Sequence, residues 1–142
     1  MKLISHRGNL DGPRIDLENS PEYINNALSN GYDVEIDVRF INGFFYLGHD
    51  QAEHKIEKIF LQTKGLWCHA KNIEALEELR KLNCVYFWHE NDDYTLTSNG
   101  YIWAYPGKKL TKNSICVLPE KISYSKIDCA GICSDYVVKY KV

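Results

Sequence analysis

Residues suited to breaking a phosphate ester on a metal ion are concentrated in four short segments near the start of the chain. The segments are Ser5-His6-Arg7-Gly8, Glu18-Asn19-Ser20, Val34-Glu35-Ile36-Asp37-Val38-Arg39 and Gly48-His49-Asp50. Histidines can transfer protons near neutral pH, carboxylates can bind a hard cation, and arginine can bind phosphate. The segments lie at or beside the ends of apolar, strand-like runs, so the strands must bring them together.

Glu35 and Asp37 alternate with apolar residues in one such run. Because strand side chains alternate faces, both carboxylates point to one side of the predicted strand. Two neighbouring carboxylates repel each other unless a cation or a proton lies between them, so the pair predicts a site for a hard metal ion. The alternative is a pair of exposed carboxylates on an edge strand, with Arg39 neutralising Asp37.

The order and spacing of the four segments resemble the glycerophosphodiester phosphodiesterase family, part of the phospholipase-C-like phosphodiesterase superfamily. The family pattern runs HRG, then ENT or ENS, then ExDV, then HD. Here it reads His6-Arg7-Gly8, Glu18-Asn19-Ser20, Glu35-Ile36-Asp37-Val38 and His49-Asp50. The strong part of the likeness covers about a third of the chain, which would be an unusually short member of the family.

The resemblance implies roles for individual residues. His6 and His49 match the family's catalytic acid–base pair, and Arg7 matches its phosphate-binding arginine. Each residue also has a structural alternative: a histidine can cap a strand end, and Arg7 can form a salt bridge to Glu18 or Asp50. We expect Glu18 and Asn19 to shape the loop before the first helix.

The chain departs from the family pattern at Trp67-Cys68-His69-Ala70-Lys71. The family usually has Glu-x-Lys here, with the carboxylate as third metal ligand and the lysine facing phosphate. Lys71 keeps the phosphate-binding position, or is a solvated charge at a helix start, and His69 replaces the carboxylate. The resemblance thus implies a divalent cofactor, Mg²⁺, Ca²⁺ or Mn²⁺, held by Glu35, Asp37 and His69. Glu90 is the alternative third ligand.

Two further positions match the family. Trp103 lies where members often carry a tryptophan that packs against substrate, although a core tryptophan is an equal interpretation. Ser134-Asp135 is similar to the Thr-Asp that follows the last strand in the family, and it indicates little about chemistry.

Eight apolar, β-branched or aromatic runs predict strands. They are Lys2–Ser5, Asp33–Val38, Phe44–Leu47, Leu66–Ala70, Cys84–Trp88, Tyr101–Ala104, Ser114–Leu118 and Gly131–Cys133. Helices are predicted after the Ser20 cap and over Ile73–Leu82, with weaker signals at Glu53–Leu61 and within Pro119–Asp128. Alternating strands and helices favour an α/β fold, and the resemblance implies a (β/α)8 TIM-type barrel.

Chain length limits that barrel. A complete one typically needs about 200 residues or more, whereas this chain has 142. We therefore expect residues 1–142 to form a single domain, a shortened barrel in which loops replace several helices. An open or incomplete barrel is the structural alternative.

Strands that lack helices leave aromatic side chains uncovered, so we also expect self-association into a homo-oligomer.

Composition narrows the cellular setting. The net charge of −2 gives no electrostatic case for nucleic acid or an anionic membrane surface, and no apolar run is long enough for a membrane span. Five scattered cysteines favour buried thiols in a reducing compartment, and the motif begins too early for a signal peptide. We expect a cytoplasmic protein.

The expected function is a metal-dependent phosphodiesterase, a phosphoric diester hydrolase, acting on glycerophosphodiesters or lysophospholipid-like phosphodiesters. Its partner would be a small phosphodiester substrate. The alternative is a non-catalytic module on the same fold that keeps a phosphate pocket after losing the third carboxylate. Retention of both His6 and His49 favours the enzyme, because simple binding needs no acid–base pair.

Overall fold

The computed structural model describes residues 1–142, which form one ten-stranded sheet. The strands in chain order are β1 (Lys2–His6), β2 (Asp33–Ile41), β3 (Phe44–Leu47), β4 (His54–Ile56), β5 (Leu66–Ala70), β6 (Val85–Trp88), β7 (Tyr94–Leu96), β8 (Ile102–Ala104), β9 (Ser114–Val117) and β10 (Gly131–Ser134). Seven of them are parallel, in the spatial order β6-β5-β2-β1-β10-β9-β8. The other three, β3, β4 and β7, pair antiparallel.

Three α-helices lie against this sheet: α1 (Pro21–Ser29), α2 (Lys58–Leu61) and α3 (Ile73–Leu79). The Ser20 side chain caps α1, and Asn72 caps α3. Two short 3-10 helices follow at Pro119–Lys121 and Val137–Tyr140. No helix has the length and hydrophobicity that crossing a membrane would require.

The prediction of a shortened (β/α)8 TIM-type barrel is wrong. The sheet is a curled half-barrel in which 19% of residues are helical and 31% are in strands. The α-helices follow only β1, β4 and β5, so they do not alternate regularly with the strands. The predicted strands themselves are present, but Phe44–Leu47 is an antiparallel hairpin partner of β2 and not a barrel strand. The eight runs therefore supply only seven parallel strands.

The curled sheet stays open between β6 and β8. The chain turns back after β6 and places β7 antiparallel to β8, so no parallel ladder closes the ring. Three hydrogen bonds span the gap: Thr95 Oγ1 donates to Trp88 O at 2.7 Å, Ser98 N donates to Tyr86 O at 2.9 Å, and Tyr86 N donates to Ser98 Oγ at 2.9 Å.

The sheet separates two apolar clusters, and the alternation along β2 assigns side chains to them. Val34, Ile36 and Val38 are fully buried on the outer side, against α1 and α3. Inside the curl, the second cluster includes Ile4, Trp67, Phe87, Trp103 and Ile115. Glu35 and Asp37 belong to this inner face, as the period of two predicts.

Candidate functional site

Strand register brings the polar residues together inside the curl. His6 on β1 is the register partner of Glu35 on β2, and Asp37 is the partner of His69 on β5. Three neighbouring parallel strands thus carry four titratable side chains at their carboxyl ends. These ends are also where parallel α/β sheets generally place their sites.

Glu35, Asp37 and His69 form a compact, buried group. His69 Nδ1 lies 3.5 Å from Glu35 Oε1 and 3.5 Å from Asp37 Oδ1. One candidate ligand atom from each residue lies within 4.8 Å of the others. His69 Nε2 lies 2.8 Å from the carbonyl oxygen of His89, to which it donates, so Nδ1 is the ring nitrogen that faces the two carboxylates. Metal-binding histidines are commonly oriented in this way.

Two carboxylate oxygens in this group have no hydrogen-bond partner, although both are buried: Glu35 Oε2 and Asp37 Oδ1. Burying an unpaired charged oxygen is costly. A divalent cation would offset that cost, and two carboxylates with an imidazole are a suitable donor set for Mn²⁺ in particular. The residues present therefore fit a metal ion.

Asp37 is held in its charged form. Burial alone would raise the pKa of the Asp37 carboxyl, but the charges of Arg7 and His69 and a hydrogen bond from Asn19 outweigh burial and lower the pKa. Arg7 Nε lies 3.1 Å from Asp37 Oδ2 without the alignment of a hydrogen bond, so this contact is an ion pair. Asn19 Nδ2 donates to the same oxygen at 2.9 Å.

His6 is oriented by a carboxylate from the last strand. Its Nδ1 lies 2.7 Å from Asp135 Oδ1, and its Nε2 lies 3.7 Å from Glu35 Oε2. Burial would lower the pKa of His6, but the hydrogen bond to Asp135 and the charge of Glu35 outweigh burial, and the pKa is raised. The imidazole is thus fixed with Nε2 towards the carboxylate cluster, the arrangement of a histidine that exchanges protons.

A buried asparagine links the two halves of the site. Asn9 Nδ2 donates to Asp135 Oδ1 and to Glu18 Oε1, both at 2.9 Å. Glu18 Oε2 in turn accepts from Arg7 Nη1 at 3.2 Å. Asn9 and Glu18 therefore hold Asp135 and Arg7 in place without reaching the inner face themselves.

A cavity of about 770 Å³ opens over these residues. Its polar lining includes His6, Arg7, Glu35, His49, His69 and Lys71. Its largely apolar lining, from β8, β9 and the loops after them, includes Trp103, Tyr105, Pro106, Val117, Leu118 and Ile122. Lys121 also faces this cavity, so a ligand would meet cationic groups at its polar end and apolar carbon beside them.

His49 reaches the cavity from the loop after β3. Arg39 holds this loop by donating to the carbonyl oxygens of Gly48 and His49. The His49 side chain is 39% exposed, and its Nδ1 lies 2.8 Å from Asp50 Oδ1. Arg39 therefore positions the loop and does not pair with Asp37. The ion-pair partner of Asp37 is Arg7.

The remaining predicted residues also line the cavity, with different surroundings. Lys71 follows β5 and forms no ion pair within 4.0 Å, so its charge is available to a ligand. Glu90 is exposed and lies outside the Glu35–Asp37–His69 group. Trp103 is buried among aromatic rings, with its centroid 4.6 Å from that of Phe87, so it belongs to the inner core as well as to the wall.

Sequence reasoning missed the contacts of Asp135 and Asn9. Asp135 is 129 residues from His6, and its similarity to the family's Thr-Asp was its only signal. Asn9 follows the His6-Arg7-Gly8 segment directly, but nothing in its type indicates a bridge between two carboxylates.

Comparison of the chain with protein-family models, curated proteins and solved structures finds no match.

Proposed function

We propose that this protein is a metal-dependent phosphodiesterase acting on glycerophosphodiesters or lysophospholipid-like phosphodiesters. One observation carries the proposal: a carboxylate-oriented histidine, His6, meets the buried Glu35–Asp37–His69 group at a single cavity. Proton transfer and cation binding are the two capabilities that such a reaction requires. The resemblance of the four sequence segments supports the same class of reaction.

Glu35, Asp37 and His69 would hold the divalent cation, Mg²⁺, Ca²⁺ or Mn²⁺. When bound, the cation supplies Lewis-acid polarisation of a phosphate oxygen and neutralises developing negative charge. The low pKa of Asp37 keeps this carboxylate ionised and ready to act as a ligand.

Arg7 and Lys71 bind the phosphate. Arg7 donates a hydrogen bond from Nη1 to Glu18, and its Nε forms the ion pair with Asp37. Its Nη2 makes no hydrogen bond within the protein. That nitrogen is available to a phosphate oxygen, and the unpaired Lys71 ammonium adds a second positive charge. Both groups favour the transition state, in which charge on the phosphate oxygens increases.

His6 and His49 transfer the protons. One imidazole accepts the proton of the attacking hydroxyl, from water or from the substrate's own glycerol. The other donates a proton to the oxygen of the departing alcohol, so the phosphorus–oxygen bond breaks without releasing an alkoxide. Asp135 stabilises the protonated form of His6 in whichever step that form occurs.

The apolar wall of the cavity accepts the carbon skeleton of the substrate. Trp103, Leu118 and Ile122 line the same cavity as the phosphate-binding groups. This arrangement suits a phosphodiester with an apolar or glycerol-based alcohol beside its charged phosphate.

The free cysteines support a reducing compartment such as the cytoplasm for this reaction. All five thiols are unpaired, and Cys68, Cys116 and Cys133 are buried. Unpaired thiols persist where the glutathione and thioredoxin systems keep them reduced.

The test is hydrolysis of glycerophosphocholine, glycerophosphoethanolamine and lysophosphatidylcholine with Mg²⁺, Ca²⁺ and Mn²⁺ in turn. We expect turnover with at least one ion, and a loss of at least a hundredfold in kcat for His6→Ala, because general acid–base catalysis is worth about 10²- to 10⁴-fold. His54→Ala is the matched control, since His54 lies outside the cavity.

Absence of turnover with every ion and substrate, in a folded sample, would overturn the proposal. Binding of glycerophosphocholine without turnover, unchanged in His6→Ala, would assign the cavity to the non-catalytic phosphate-binding module.

A further inference from the structure

The charge of this protein is unevenly distributed between its two sides. The loops 105–113 and 118–130 connect β8 to β9 and β9 to β10, where a closed α/β barrel would carry helices. They contain two carboxylates, Glu120 and Asp128, and five lysines: Lys108, Lys109, Lys112, Lys121 and Lys126. The loops are therefore basic although the whole chain has a net charge of −2.

Most of this positive charge is not neutralised within the protein. Lys108 pairs with Asp93 at 3.1 Å, whereas the other four lysines are exposed and form no ion pair. The Glu120 oxygens accept hydrogen bonds from Ser134 Oγ and Asp135 N, both at 2.9 Å. Glu120 keeps its charge, so Glu120 and Asp128 together offset two of the five lysines, and the two loops are left with a net positive charge.

The two loops form one continuous surface with β7. Gly107 N donates to Tyr124 Oη at 2.7 Å, which joins the loops to each other. Tyr94 Oη donates to Lys109 O at 2.9 Å, which joins the first loop to β7. A groove of about 330 Å³ between the loops is lined by Lys108, Lys109 and Lys126 together with Asp128, so three positive charges and one negative charge lie close together.

Large apolar side chains are exposed on the same surface. Leu96 is 68% exposed and Ile122 is 44% exposed, with Tyr94 and Tyr105 at similar levels. Exposed aliphatic and aromatic groups interspersed with lysines are typical of surfaces that lie in a membrane interface, where lysine stems contact acyl chains and the ammonium groups contact lipid phosphates.

We propose that this surface, the lysine face (loops 105–113 and 118–130 with β7), docks on an anionic lipid bilayer. Tyr105, Lys121 and Ile122 belong both to the lysine face and to the cavity wall. Docking would therefore place the cavity mouth at the bilayer surface, within reach of a phosphodiester headgroup. Binding to the bilayer needs no catalysis, so the inference does not rest on the proposed function.

Other occupants fit the face less well. Exposed Leu96 and Ile122 would make no favourable contact with a nucleic-acid backbone. The loops also contain no arginine, whose forked guanidinium is the side chain that best matches a phosphate of that backbone. A second copy of this chain docked on the face would cover Tyr105, Lys121 and Ile122, and with them the cavity wall.

The experiment is sedimentation of the full chain with vesicles of phosphatidylcholine alone or with 30% phosphatidylglycerol added. We expect salt-sensitive binding to the anionic vesicles only. The triple variant Lys109→Gln, Lys112→Gln and Lys126→Gln should bind about a hundredfold more weakly, because each lysine near such a surface adds about 1 kcal/mol. The matched control is Lys55→Gln, Lys58→Gln and Lys64→Gln, exposed lysines on the β4–α2 side.

Ile122→Asn tests the apolar part of the face. It should weaken binding at high salt as well as at low salt, since apolar burial is not screened. Asp37→Asn, in the cavity, should leave vesicle binding unchanged, which separates docking from catalysis.

Several results would overturn the inference. These are equal binding to both kinds of vesicle, binding to neither, and equal loss in the two triple variants. Concentration-dependent dimerisation that disappears in Lys109→Gln, Lys112→Gln and Lys126→Gln would assign the face to a second copy of the chain.

Discussion

Position 69 is where this chain differs most in chemistry from the family it resembles. The imidazole of His69 takes the strand position expected for a third carboxylate, and its Nδ1 faces Glu35 and Asp37 at 3.5 Å from each. An imidazole binds Mn²⁺ well but binds Ca²⁺ and Mg²⁺ poorly. We therefore expect His69 to decide which metal the proposed site prefers.

A metal titration distinguishes His69 from Glu90 as third ligand. We expect His69→Ala to weaken Mn²⁺ binding at least tenfold, because a direct ligand is lost, and Glu90→Ala to change it less than twofold. Isothermal titration calorimetry measures both. Loss of Mn²⁺ affinity in Glu90→Ala, with none in His69→Ala, would show that Glu90 is the third ligand and that all three protein ligands are carboxylates.

The contacts of His6 predict a pH dependence of stability. Because the pKa of folded His6 is raised above 6.5, its stabilising contribution is fully present below about pH 6.5 and is lost as pH rises through the folded pKa. In metal-free protein, His6→Gln should therefore lower the free energy of unfolding more at about pH 5.5 than at about pH 8.5. Urea denaturation at the two pH values measures the difference, and an equal loss at both would contradict the prediction.

At the scale of elements, the apolar runs predicted eight of the ten strands but not how they pair. The two missed strands are short: β4 lies within the helix predicted over Glu53–Leu61, and β7 was not predicted. The period of two placed Glu35 and Asp37 on one face of β2, the Ser20 cap located α1, and the spacing of the leucines located α3. A period of two does not indicate whether a strand runs parallel or antiparallel to its neighbours. Phe44–Leu47 therefore looked like a parallel strand, although the Asn42-Gly43 turn before it makes it the return arm of a hairpin.

The loop that carries His49 depends on a glycine. Gly48 has a φ of 151°, and a Cβ there would lie 1.9 Å from the Gln51 carbonyl oxygen. Gly43, with a φ of 86°, has nothing within 4 Å of such a Cβ. Gly43→Ala should thus cost only backbone strain, about 1–2 kcal/mol. Gly48→Ala should cost more, because the loop must also shift. Thermal denaturation compares the two, and equal losses would contradict the prediction.

At the scale of the whole molecule, the site depends on contacts between distant parts of the chain. Asp135 on the segment after β10 orients His6 on β1, and Asn9 bridges Asp135 to Glu18. No local pattern encodes a contact across 129 residues. The sequence therefore indicated the residues most able to do chemistry, but not those that hold them in position.

The candidate metal group joins β2 and β5, so cation binding should stabilise the entire fold. At about a hundred times its dissociation constant, a bound ion adds about 2.7 kcal/mol to the free energy of unfolding. For a domain of this size, that is a rise in Tm of roughly 10 °C. Scanning calorimetry with Mn²⁺ and then with a chelator should show the rise and its reversal.

Asp37→Asn should abolish this thermal shift, because it removes a charged ligand from the buried group. Asp16→Asn, at an exposed carboxylate, is the control and should keep it. The same rise in Tm in both variants would place the bound cation elsewhere.

The pairing of β1 with β10 also constrains how the protein forms during translation. Lys2 to Ser5 pair with Gly131 to Ser134, so β1 leaves the ribosome more than a hundred residues before its partner β10. Until β10 emerges, one edge of β1 has open backbone groups, and Asp135 has not yet reached His6. Such long-range pairing slows folding. A nascent chain therefore has no assembled site, and its exposed strand edge is where chaperones would be needed.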